Sequence, residues 1–195
     1  MLIVQHGDKV NEPGDPGLSR LGVLQAERTA RFLLQTEKPA AVVSSPLRRA
    51  VETADHLAGV FGLEVSTDDR FRERMNWTVD GGLSFDAFLE EWNQASNDRD
   101  YQPAIGDSST MAAMRALEAL DDLEKRWRNE TVIVAAHGGV TVDTVRSIVG
   151  DGYLVQRLPN LIREGVSSCA ITELLHEGDG WRAVRINDTS HNPSQ

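Results

Sequence analysis

Residues 131–136 read Thr-Val-Ile-Val-Ala-Ala, a run with no charge and no alternation of polar with apolar side chains. A strand that is apolar on both faces has no solvent side, so it belongs at the centre of a sheet covered above and below. Shorter apolar runs lie at residues 2–4 and 40–43, and Leu63-Glu64-Val65 suggests another short strand. Stretches of helix length separate them. Ser19 can cap a helix reaching about Thr36, with Leu21, Leu24 and Phe32 on one face and Arg28 interrupting it. Ser44-Ser45-Pro46 opens another, serine as cap and proline in the first turn, running to Phe61. Residues 108–127 predict a third, its apolar face drawn from Met111, Met114, Leu117, Leu120, Leu123 and Trp127; residues 140–149 predict a fourth. Two strands at 168–175 and 181–186, split by Glu177-Gly178-Asp179-Gly180, predict a hairpin.

Strands alternating with helices in this way predict an α/β fold, with a mostly parallel central sheet and helices on both faces. The length of 195 residues suits a single domain. The pattern weakens from Asp68 onward, and residues 75–106 read as an insertion at the rim of the sheet, with a short helix near 85–92.

Charge narrows the partners. Twenty Lys+Arg against thirty Asp+Glu give a net charge of −10, which argues against nucleic acid or an anionic membrane as the main partner. A small anion can still be held by a few buried arginines. The lone Cys169 cannot form an internal disulfide and fits a reducing compartment. The apolar opening stops at Gln5, short of a signal peptide or a membrane span, so a soluble cytoplasmic protein is expected.

Two of the five histidines share a context. His6 and His137 each follow an apolar strand, and each precedes glycine. In an open parallel sheet the ligand crevice lies beyond the carboxyl ends of the strands, so both imidazoles are expected there. Gly7 and Gly138 would let backbone approach a ligand and leave amides free, and His137-Gly138-Gly139 opens a helix whose N-terminus favours an anion. Arg49, in the first turn of the helix after the second strand, can reach the same crevice with donors suited to phosphate, whereas Arg48 points to the surface. Glu73 is a further candidate; His56, His176 and His191 read as structural or solvated.

Taken in order, strand-Gln5-His6-Gly7, Ser45-Pro46-Leu47-Arg48-Arg49-Ala50 running on to Thr53-Ala54, Arg70-Phe71-Arg72-Glu73 and strand-His137-Gly138-Gly139 resemble the histidine phosphatase superfamily, in its phosphoglycerate mutase-like branch. The tail at Ile186-Asn187-Asp188-Thr189-Ser190-His191 is similar too. The resemblance implies that His6 attacks a phosphoryl group and that water hydrolyses the resulting phosphohistidine. Arg49, His137 and nearby amides would bind the phosphoryl oxygens, and Glu73 would be the proton donor. No cofactor and no metal are implied, and the partner is a small phosphate ester. The family's Arg-His-Gly is here Gln5-His6-Gly7, so one charged phosphate contact is missing and Gln5 can offer only a neutral amide. The asparagine expected six residues past the nucleophile is replaced by Glu12, with Asn11 one position short. Lys9 or Arg20 could compensate. Three functions follow: a phosphomonoesterase, a phosphoglycerate mutase-type transferase, or a degenerate domain that binds a phospho-ligand without turnover. Substrate choice is expected to lie in the 75–102 segment and the 9–17 loop.

Overall fold

The computed structural model describes residues 1–178 and 180–192. Its strands are β1 (Leu2–Gln5), β2 (Pro39–Ser44), β3 (Val65–Thr67), β4 (Thr131–Ala136), β5 (Ile171–Glu177) and β6 (Gly180–Asp188). The helices are α1 (Arg20–Thr36), α2 (Arg48–Gly59), α3 (Phe85–Asn97), α4 (Ser109–Arg126), α5 (Gly138–Val149), α6 (Asp151–Arg157) and α7 (Leu161–Glu164). One sheet takes all six strands in the order β3-β2-β4-β1-β5-β6. The first four run parallel, while β5 pairs antiparallel with β1 and with β6, forming the expected hairpin. This is the α/β domain with a mostly parallel sheet that the strand and helix alternation predicts.

The two faces explain the composition of β4. Val132, Val134 and Ala136 pack with Ala112, Ala116 and Leu120 of α4 and Val140 of α5. Ile133 and Ala135 turn the other way, against Ala30 and Leu33 of α1 and Ala54, Leu57 and Ala58 of α2. These five residues, 132–136, are therefore each buried against helices. Among the described residues no helix is long and apolar enough to cross a membrane.

The helix faces correct the sequence reading. α1 buries Gly22, Gln25, Ala26, Thr29, Ala30 and Leu33, while Leu21 and Leu24 are 49% and 46% exposed. Close backbone approach is the cause: a Cβ at Gly22 would collide with the carbonyl oxygen of Asp8, and one at Gly7 would stand 2.5 Å from that of Gly22. Only glycine fits at these two positions. α4 behaves alike, burying Ala112, Ala113, Ala116 and Ala119 and leaving Met111 and Met114 exposed. α2 starts at Arg48 and ends at Gly59, with Leu47 in the cap position and no side-chain cap bond. β3 lies two residues later than expected.

Candidate active site

β1 and β4 are parallel neighbours, with Gln5 opposite Ala136. The next residue of each strand is a histidine, so His6 and His137 leave the sheet side by side. Their ring centroids are 5.2 Å apart in an edge-to-face arrangement. β2, on the far side of β4, ends at Ser44 opposite Ala135 and delivers Ser45 to the same place. The crevice is thus a consequence of strand register.

His6 is buried and its tautomer is set by its partners. Nδ1 lies 2.7 Å from the Gly7 carbonyl oxygen, which can only accept, so Nδ1 carries the proton. Nε2 keeps its lone pair and accepts from Arg49 Nε at 3.2 Å, with Gln5 Nε2 at 3.3 Å. Burial first, then the Arg49 charge, push the imidazole down to about 3, so it is neutral throughout the ordinary pH range. His137 is fully buried and held well below the usual histidine range by burial and then by His6, Arg49 and Arg115. Its Nε2 is 2.7 Å from Ser45 Oγ, which also accepts the amide of Leu47 at 3.2 Å. Ser45 therefore orients a histidine as well as shaping the turn into α2. Among the described residues, His137 Nδ1 and Arg49 Nη1 are buried without a hydrogen-bond partner. The nearest acid to Nη1 is Asp15, at 3.8 Å.

Glu73 occupies the N-terminus of α5. Oε2 accepts from Gly139 N at 2.9 Å, and Oε1 accepts from Val140 N at 2.9 Å and Arg74 N at 2.7 Å. The anion expected at the start of α5 is thus the protein's own carboxylate. A Cβ at Gly139 would stand 2.5 Å from Glu73 Oε1 and 2.7 Å from Trp92, which explains the second glycine. Next in sequence, Arg74 is fully buried; its Nη1 is 3.1 Å from both oxygens of Asp143, and its Nη2 donates to Ser96 Oγ. Ser109 Oγ donates to the same Asp143 at 2.6 Å. Burial raises Asp143 to about 6 despite Arg74. The chain on either side of Glu73 is in this way tied to α3, α4 and α5.

A cavity of about 520 Å³ opens over this centre, with His6, Arg49 and Glu73 in its wall together with Lys9, Glu12 and Asn76. A second, about 260 Å³, shares His6, Lys9 and Glu73 and adds Gln5 and Gly138. Lys9 borders both, and among the described residues its ammonium makes no hydrogen bond or ion pair. Burial and then Arg49 lower it from the ordinary lysine value. Arg20 lines neither cavity.

The structure brings together His6, Arg49, Glu73, His137, Gln5 and Gly138. Gly7 is different: its amide donates to Thr53 Oγ1 at 3.1 Å and so is not free for a phosphate. His191 is structural, with Nε2 near Thr29 Oγ1 and the Cys169 carbonyl and its ring stacked on Phe32. Sequence reasoning missed Ser45 as the partner of His137 and the Arg74–Asp143 pair; alternation of charge in Arg72-Glu73-Arg74 was the only local sign of the latter. Among the described residues no group of three or more His, Cys, Asp or Glu is placed to hold a metal.

Comparison with known proteins identifies the family. The model of the histidine phosphatase superfamily (branch 1) matches residues 3–189. A putative phosphoserine phosphatase 2 of Hydrogenobacter thermophilus is 29% identical over 98% of this chain and 96% of its own length. A metal-independent phosphoserine phosphatase of Arabidopsis thaliana is 32% identical over 72% of this chain and 64% of its own. Among solved structures, a mycobacterial glucosyl-3-phosphoglycerate phosphatase in complex with VO3 superposes with a TM-score of 0.75 at 25% identity, covering 96% of this chain and 98% of that one.

Proposed function

The chain belongs to the histidine phosphatase superfamily, branch 1, and from that premise we propose how its residues divide the work of a phosphomonoesterase. The activity is a metal-independent phosphatase reaction on small phosphate esters through a phosphohistidine. One observation carries the assignment of the nucleophile. His6 Nδ1 is tied to the Gly7 carbonyl, which aims Nε2, neutral and bearing its lone pair, at Arg49 and the cavity.

In the first step Nε2 attacks phosphorus and the bond to the ester oxygen breaks. Glu73 gives its proton to the departing alkoxide. Oε2, which accepts one amide where Oε1 accepts two, is the oxygen with room to carry that proton. In the second step a water attacks phosphorus, its proton passes to the Glu73 carboxylate, and inorganic phosphate leaves with His6 restored. Arg49 Nη1 and His137 Nδ1, buried and unpartnered, supply donors for the equatorial phosphoryl oxygens. Ser45 donating to His137 Nε2 leaves the proton on Nδ1, as that role requires. Lys9 stands where it can replace part of the charge that Gln5 lacks.

A panel of phosphate esters assayed with the wild type, with His6→Ala and in the presence of chelator tests this reading. Turnover that survives the chelator and vanishes in His6→Ala supports it. Full activity in His6→Ala overturns the nucleophile, and binding of esters without turnover favours the phospho-ligand-binding alternative that Gln5 keeps open.

A further inference from the structure

His6, Arg49 and His137 account for the phosphoryl end of a substrate, and most of the larger cavity lies outside them. Beyond them the wall is mostly apolar, built from Met75, Trp77, Phe85, Phe88, Leu89 and Trp92, with Asn11, Glu12 and Asn76 among its polar members. We infer that the site selects phosphate monoesters whose alcohol is aromatic or otherwise apolar and carries no charge, an inference that rests on the phosphatase reading above.

The wall is a connected series of rings. Trp77 meets Phe85 edge-on at 5.3 Å, Phe85 and Phe88 stack at 6.5 Å, and Phe88 and Trp92 lie 6.2 Å apart. Two of the wall's side chains already have protein partners. The Trp77 indole N–H donates to the Leu83 carbonyl, and Trp92 lies beneath the Arg74 guanidinium at 4.3 Å. Met75 and Phe88 are buried and anchor the wall, but Phe85 and Leu89, one turn apart on α3, remain 52% and 41% exposed. Large apolar side chains left in water beside a reactive centre form a surface that an apolar ligand would cover. The 75–77 strip is also fixed in place. Gly14 N donates to the Trp77 carbonyl, and Asn76 Nδ2 donates to that of Gly14, so the strip is tied to the 9–17 loop that borders the same cavity.

Charge points the same way. The cavity is bordered by two cations, Lys9 and Arg49, and two carboxylates, Glu12 and Glu73. Arg49 touches the nucleophile, and the Lys9 charge is felt at His6, so both belong to the phosphoryl end. No cation in the cavity wall is left for a carboxylate on the alcohol, and Glu12 would repel one. A phosphoglycerate brings such a carboxylate; a phenylalkyl phosphate does not.

The test compares kcat/KM for 2-phenylethyl phosphate, glycerol 3-phosphate and 3-phosphoglycerate, all esters of poor alcohol leaving groups, so that the body rather than the chemistry is varied. Burying one phenyl group predicts a preference of roughly 10- to 100-fold for the phenylethyl ester over glycerol phosphate. The anionic body of 3-phosphoglycerate should be the poorest. Phe85→Ala and Leu89→Ala, both at half-exposed positions, should each lower the phenylethyl-to-glycerol ratio, together by about tenfold. A flat profile, a preference for 3-phosphoglycerate, or a ratio indifferent to both substitutions overturns the inference while the phosphatase reading stands. Failure to turn over any ester would instead bring down that reading, and this inference with it.

Discussion

Glu73 caps α5 and, in the proposed mechanism, also gives the leaving group its proton; Glu73→Gln separates the two roles. The carboxylate accepts three backbone amides, from Arg74, Gly139 and Val140, at 2.7 to 2.9 Å. A glutamine can keep its oxygen at the Oε1 position and preserve two of these. Its NH2 then faces the Gly139 N–H, donor against donor, and that amide loses its partner. One buried amide left unsatisfied and two bonds stripped of charge assistance cost about 1–3 kcal/mol. For a chain of this size that corresponds to a fall in Tm of roughly 2–12 °C. The structural loss is shared by every substrate. The chemical loss is not: a proton donor contributes about 10²- to 10⁴-fold when the leaving group is a poor one and little when it departs unaided. Single-turnover measurement of the phosphorylation step should therefore show an alkyl phosphate slowed at least 100-fold, and p-nitrophenyl phosphate slowed by less than about tenfold. Equal losses on both, with the Tm lowered as stated, would refute the acid role and leave Glu73 as the cap of α5.

Three further outcomes are expected. Gln5→Arg restores the missing charge beside His6 and should tighten inorganic phosphate or vanadate by about tenfold or more, measured by inhibition; no gain would show that Lys9 already fills that role, and a loss would show a pocket built around the neutral amide. Ser45→Ala leaves His137 Nε2 buried without its partner, so urea denaturation should show a loss of about 1–3 kcal/mol and kcat/KM should fall about tenfold or more; an unchanged kcat/KM would remove His137 from phosphate binding. Folded His6 titrates near 3 against 6.5 for an ordinary histidine, so between these values the unfolded chain binds the extra proton and acid erodes stability, by up to about 1.4 kcal/mol per pH unit. Asp143, raised to about 6 from 3.8, acts oppositely between those two values, but it is common to wild type and His6→Gln. Wild-type stability minus that of His6→Gln should therefore fall as pH drops from 6.5 to 4.5, and a constant difference would count against a buried neutral imidazole.

The parts of this account that were legible in the sequence are those written in consecutive residues. An apolar run, then histidine, then glycine states a strand, its end and the side chain delivered there; β1 and β4 follow that rule within a residue. Pairing of His6 with His137 follows from parallel neighbours alone. What was not legible depends on distance between backbones. Leu21 and Leu24 look like a core face, yet α1 turns the face of Gly22, Ala26, Ala30 and Leu33 inward because Gly22 must pass against Asp8. Met111 and Met114 mislead for the same reason on α4, where alanines make the closer seam. The Gly7 amide seemed free because nothing in sequence brings Thr53 to it; α2 does so 46 residues later. The hold of α5 on Glu73 likewise spans 66 residues and leaves no local trace.

The central claim is that phosphate passes through His6 Nε2, and rapid quenching under alkaline conditions with a slowly hydrolysed ester tests it most directly. Mass spectrometry of the quenched wild type should place one phosphate on the peptide bearing Gln5-His6-Gly7, formed within a single turnover and decaying at the rate of phosphate release. A quenched enzyme that turns over ester while carrying no phosphate there, or carrying it on His137 instead, would contradict the account.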